Sequence, residues 1–246
     1  MLILLFLPAA LLLWKTTASR DIPDAAPVSA KFAWLSLLYF AVYFVVIFKV
    51  NILASSAGLW LSQFLVPLLL MRLLSEKPAS AGFQWKYAFR DLKMVLAASA
   101  LLLPLIFVVR DSSQLLEMAR TVKFYIFLPV SVIFMLAIVA FWEEFFFRGI
   151  IMTALRRLTG SAAAAILLSA LLFAAYHFPM RYLNPNSACH LDAAKALAEI
   201  LNEHFIMGVF LGFAVHRTKN VWTGIWLHAF INGISAVSRT ASWIRF

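Results

Sequence analysis

From Phe124 to about Leu158 the chain is almost unbroken apolar sequence, and inside it stand Glu143, Glu144 and Arg148. The stretch exceeds the roughly 20 residues that cross a bilayer as a helix, so it must tilt, break or protrude. An ionisable group at the centre of a membrane helix costs about 2.5–3.5 kcal/mol on insertion scales. Three such groups placed together mark either a membrane–water boundary or a site that uses them.

The rest of the chain has the same character. It is 64% hydrophobic, with a mean hydropathy of +0.91. A soluble domain is nearer 45–50% apolar. These values indicate an integral, multi-pass membrane protein. The net charge is +10, but its basic residues are scattered through the connections between apolar segments. That is the distribution of the positive-inside rule, and nucleic acid is a poor partner for it. Cys189 is the single cysteine, which excludes an intrachain disulfide and a multi-cysteine metal site.

Taken in order, Met1–Trp14 is short for a span, and the polar linker from Asp21 to Lys31 follows. Apolar segments then run over Phe32–Val50, Leu59–Leu74 and Met94–Val109. A turn lies around Asn51–Gly58. The connection with Arg72, Lys77, Lys86, Arg90 and Lys93 is the best cytoplasmic loop. Asp111–Lys123 has apolar residues at helical spacing and suits a short interfacial helix. After the long stretch, Thr159-Gly160 forms a turn, and Ser161–Phe178 is a span ended by Pro179. A polar loop covers 180–203, with a short helix over Asp192–Asn202. His204–Val215 and Val221–Val237 are the last apolar segments. The expectation is an all-α bundle of about eight apolar helical segments, with no internal repeat. It divides into membrane helices with a basic loop over 1–123 and a core over 124–246. Alternation places the turns at Arg156/Arg157 and Arg217/Lys219 on the same side as the five-charge loop.

Helical spacing assigns geometry to the polar residues. Glu144 and Arg148 are four apart and can pair on one face. Glu143 is rotated by about 100° from Glu144 and points elsewhere. In an antiparallel hairpin about Thr159-Gly160, Glu143 and His177 lie at the same depth, roughly 25 Å from the turn at 1.5 Å per residue. His228 and Asn232 share a face of the last segment. Competing structural readings apply to each. A lone intramembrane histidine commonly serves as a helix–helix hydrogen-bonding group. The run Phe145–Phe147 reads as packing or lipid-facing surface. His190, Asp192, Glu199, Glu203 and His204 read as solvated charge beside a loop, not as metal ligands.

Together, Glu143-Glu144-x-x-x-Arg148, Phe173-x-x-x-His177 and His228-x-x-x-Asn232, in this order on successive helices, resemble the glutamate-type intramembrane proteases, which include the CAAX prenyl endopeptidases and the bacterial CPBP proteins. The resemblance covers about 141–233 and does not extend to the first 120 residues. It implies a peptidase that needs no metal or other cofactor. Glu143 would be the general base and His177 its partner in activating a water. His228 and Asn232 would stabilise the oxyanion, with Glu144 and Arg148 in support. It further implies a membrane-anchored protein substrate, prenylated or carrying a C-terminal sorting helix, and residence in a bacterial or archaeal cell membrane.

The residue chemistry agrees, since peptide hydrolysis needs an activated water and donors aimed at the developing oxyanion. A zinc site at Glu143, His177 and His228 is the competing chemistry, although no His-Glu-x-x-His helix is present. The alternative outside enzymology is a non-catalytic immunity or scaffold protein, or a small transporter, of the same fold.

Overall fold

A backbone surrounded by apolar side chains has no water to bond to, so its N–H and C=O groups must pair within each segment. The computed structural model, which describes residues 2–17, 27–49, 58, 60–109 and 117–243, resolves that requirement with helices and with no strand among the described residues. In chain order these are α1 (Leu2–Thr17), α2 (Ala30–Lys49), α3 (Trp60–Leu73), α4 (Leu92–Val109), α5 (Val122–Thr159), α6 (Ala162–Tyr182), α7 (Ala193–Thr218) and α8 (Val221–Trp243). Four of them are long and apolar enough to cross a membrane: α2 over Ala30–Ile47, α5, α6 and α7. Trp60–Leu73, Leu92–Leu102 and Val221–Val237 are shorter apolar helices.

Two expectations need correction. Pro179 does not end α6; the helix carries it in its last turn and stops at Tyr182. A proline there forfeits a single hydrogen bond to the preceding turn, and its own carbonyl still accepts from the Leu183 N–H at 2.9 Å. The short helix at Asp192 and the apolar segment from His204 are also one continuous helix, α7. Asp192 caps it by accepting from the Lys195 N–H at 2.9 Å. Arg181 bridges Glu199 at 3.1 Å and Glu203 at 3.8 Å, which removes the repulsion expected between those carboxylates. The turn at Asn51 and the first part of the proposed interfacial helix, residues 111–116, lie outside the described residues.

α5 is the central element. It contains π-helical turns at Leu136–Ala140 and Phe145–Ile151, on either side of the glutamates. Phe145, Phe146 and Phe147 are fully buried, so the phenylalanine run is packing surface and not lipid-facing. Tyr39 and Tyr43 of α2 meet Phe146 edge-on, Trp60 of α3 packs on Trp142, and Phe147 meets Phe173 of α6. The main core therefore draws on both halves of the chain, from Val28 to Ile225. A second apolar cluster joins α1 and α4 to α7 and α8 through Leu13, Val95, Leu211 and Leu227.

Close approach of α8 to α5 depends on glycine. A Cβ at Gly233 would lie 2.8 Å from the Val132 Cα, so only glycine allows this crossing. Ser131 Oγ donates across it to the Gly233 carbonyl at 2.7 Å. At one end of the bundle the α7–α8 turn is tied to the connection between α3 and α4. Asp91 accepts from Asn220 Nδ2 at 2.9 Å and from Thr223 Oγ1 at 3.2 Å, and the Val221 N–H donates to the Gly82 carbonyl at 3.1 Å. The five-charge loop and the turn carrying Arg217 and Lys219 thus share one face, as alternation requires.

Candidate active site

Three helices bring the predicted residues together. Glu143 and Glu144 lie on the short α-helical stretch between the two π turns of α5. Each π turn inserts a residue into the helical repeat and changes the direction in which the following side chains point. His177 comes from the far end of α6, and His228 and Asn232 come from α8. The depth expected from the Thr159-Gly160 turn holds: His177 Nε2 is 4.0 Å from Glu143 Oε1.

His228 occupies the other side of the same carboxylate, with its Nε2 3.9 Å from Glu143 Oε2. Both separations are too long for a direct hydrogen bond. A cavity of about 80 Å³ occupies this region, bounded by Glu143, His177, His228 and Asn232 together with Val139, Glu203, His204 and Met207. It is large enough for one or two water molecules and is lined with polar partners for them.

The far nitrogens of both histidines are engaged. His177 Nδ1 donates to the Phe173 carbonyl at 2.8 Å, which leaves Nε2 of the neutral ring as the acceptor facing Glu143. His228 Nδ1 contacts Glu144 Oε1 at 2.9 Å. Glu144 Oε1 also accepts from Arg148 Nη1 at 2.9 Å. Arg148 completes its contacts by donating to the Gly208 carbonyl at 3.3 Å and stacking 4.3 Å over the Phe173 ring. Glu144, Arg148 and His228 are at most 1% exposed, so this is a fully desolvated network. Glu144 therefore does more than neutralise Arg148, because it also orients His228.

One participant escaped the sequence reading. His204 is not solvated loop charge: it is 8% exposed, lines the cavity, and its ring lies 4.0 Å from that of His177. The available signal was the helical register of Glu199, Glu203 and His204, which separates a glutamate face from the histidine. Glu199 and Glu203 are partly exposed and pair with Arg181. Cys189 Sγ donates to Glu199 Oε2 at 2.8 Å, which holds the thiol above its usual range and makes it a poor nucleophile. Among the described residues, no group of three or more His, Cys, Asp and Glu side chains converges in a metal-binding arrangement.

No curated protein and no solved structure matches the chain. Residues 125–234 match a family model described as type II CAAX prenyl endopeptidase Rce1-like. That interval contains each member of the cluster built above, from Glu143 on α5 to Asn232 on α8. Over these residues the chain is similar to the Rce1-like type II CAAX prenyl endopeptidases.

Proposed function

We propose that the protein is an intramembrane endopeptidase that hydrolyses a peptide bond beside the membrane anchor of a protein substrate. The observation that carries this reading is the placement of two histidine Nε2 atoms at 4.0 and 3.9 Å from the two oxygens of one buried carboxylate. A water bridging Glu143 and His177 by ordinary hydrogen bonds fits that spacing.

In this mechanism Glu143 takes a proton from the water while His177 Nε2 orients it. The resulting hydroxide attacks the scissile carbonyl carbon. The Asn232 amide and a protonated His228 Nε2 donate to the oxyanion. Glu144, anionic against Arg148, stabilises the positive charge on His228. Glu143 then returns the proton to the departing amide nitrogen as the C–N bond breaks. Charge develops where donors already stand, and the closed network behind them limits reorganisation.

The family match and the site's depth support one substrate class for this reading, a protein held in the membrane by a prenyl group or by a C-terminal helix. The test is co-expression with candidate membrane-anchored proteins, comparing wild type with Glu143→Gln and His177→Ala by mass spectrometry of the products. Both variants are expected to insert normally and to leave substrates intact. Full cleavage by either one would remove that residue from the mechanism.

A further inference from the structure

The chemistry assigned to Glu143, His177, His228 and Asn232 leaves His204 without a task. His204 comes from α7, a helix that supplies none of those four groups. It is 8% exposed and borders the same cavity as all of them. Burying an imidazole for packing alone forfeits the hydration of its nitrogens, a cost that a leucine or phenylalanine in its place would not carry. The local backbone is also unusual. Successive residues of an α-helix point about 100° apart. Glu203 and His204 nevertheless both border the cavity, and they lie in the π turn Leu201–Phe205.

The two imidazoles beside Glu143 are held in different ways. His228 has its far nitrogen on Glu144, which Arg148 fixes in turn. His177 has its far nitrogen on a carbonyl of its own helix, that of Phe173. One such bond restrains the ring softly, because torsion about the bond from Cβ to an aromatic ring has a broad minimum. Phe173 and Tyr176, also on α6, meet the His177 ring edge-on at 4.7 and 4.8 Å. His204 meets it from α7, with ring centroids 4.0 Å apart and planes inclined by 32°. A ring lying across the face of His177 opposes the rotation that would swing Nε2 away from Glu143. His204 packs on Phe173 as well, at 6.2 Å, so it touches the residue whose carbonyl holds His177. An imidazole can do this and also offer a ring nitrogen to water in the cavity, which a phenyl ring cannot.

We propose that His204 is a positioning residue of the site. Its ring fixes the plane of His177, and its nitrogen holds the cavity water in line between His177 and Glu143. Glu144 and His204 then have matching tasks, one for each imidazole that faces Glu143. The assignment rests on the peptidase reading for its catalytic consequence, but the orientation of His177 can be measured without any cleavage.

The test uses the full chain purified in detergent. Two probes serve as substrates, a farnesylated CAAX peptide and a peptide with an apolar C-terminal helix. His204→Phe keeps a packing ring and removes both nitrogens; His204→Gln and His204→Asn keep a polar group and lose the ring. In His204→Phe, kcat is expected to fall by about tenfold to a hundredfold, with KM within about twofold and no loss of thermal stability. Part of the lost rate is expected to return in His204→Gln or His204→Asn. The second readout is the ring-nitrogen NMR spectrum of histidine-labelled protein, with His177 identified by the signals missing in His177→Gln. Wild type is expected to show His177 in one neutral form, protonated on Nδ1, and His204→Phe a mixture of ring forms. Wild-type kcat in His204→Phe would reduce His204 to packing and overturn the proposal. So would a loss of rate that follows a fall in stability and is not recovered by either polar variant. Cleavage of neither probe by wild type, or equal cleavage by Glu143→Gln, would count against the peptidase reading alone. The NMR spectra then decide: a changed His177 signature in His204→Phe supports the positioning role, and an unchanged one overturns it.

Discussion

At the scale of the residue, the neighbouring glutamates differ through their partners. Glu143 faces the cavity between two imidazoles, whereas Glu144 is held by Arg148 and His228. Breaking a buried ion pair by removing one member costs about 3–5 kcal/mol, because the other is left charged and unpaired. Arg148→Met is therefore expected to destabilise the protein by about that amount, read as a large drop in thermal unfolding temperature in detergent. Glu143→Gln removes a charge that has no direct ion-pair hydrogen bond, so it should abolish cleavage at near wild-type stability. Equal stability of the two variants would contradict the division of roles. The pairing of Glu144 with Arg148 was legible from their spacing. The bond from His228 to Glu144 was not, because it depends on how α8 is rotated against α5. At the same scale, the proposed chemistry uses protein groups alone. Cleavage should survive prolonged treatment with a strong chelator; loss of activity with recovery on adding zinc would favour a metal held by Glu143, His177 and His228.

At the scale of the element, α5 and α8 approach closely because glycine occupies the crossing points. A Cβ at Gly224 would fall 2.8 Å from Val215 Cγ2 and 2.9 Å from Glu144 Oε2. Val215 can give way, but Glu144 is clamped by two partners and cannot move without releasing one. Gly224→Ala should lower cleavage at least tenfold while costing only about 1–3 kcal/mol in stability. Gly212→Ala is the contrast: its Cβ would meet Ile166 Cγ2 at 3.2 Å and Met152 Sδ at 3.5 Å, both flexible side-chain atoms remote from the cluster. Unfolding curves and cleavage rates measured on the pair separate a positioning effect from a packing effect. Comparable activity in both variants would show that Gly224 does not position Glu144. The π turns on either side of Glu143 belong to this scale too. Local propensity contains no signal for them, since the extra residue in each turn is accommodated by the helices packed alongside. Ser169 Oγ, for example, donates to the Phe147 carbonyl at 2.9 Å within the second of them.

At the scale of the whole molecule, the bundle has one basic end. The five-charge loop, the end of α5 and the α7–α8 turn meet there, and Arg217 reaches the Trp14 carbonyl at the end of α1. Positive charge in short connections marks the cytoplasmic side. Glu143 lies 16 residues before Thr159, about 24 Å along the helix, so the cluster around Glu143 sits towards the opposite end. Reporter fusions after Arg157 are expected to read as cytoplasmic, and a tag in the connection between α6 and α7 as extracytoplasmic. The reverse pattern would invert the orientation and open the site to cytosolic substrates.

Composition and helical periodicity decide a great deal for this chain. Apolar runs that exclude water from the backbone admit helices, and spacing four apart puts Glu144 with Arg148 and His228 with Asn232. The equal distances of Glu143 and His177 from a single turn put them at one level. These are local properties, counted along one strand of sequence. The tertiary structure alone decided which faces meet: that His228 turns its Nδ1 to Glu144 and its Nε2 to Glu143, that the His204 ring lies tilted against His177, and that cations from three distant segments share one cavity. Those outcomes follow from the rotation and crossing of packed helices. Long-range contacts such as Gly233 against Val132 and Asn220 with Asp91 set them, and neither contact has a signature within its own segment.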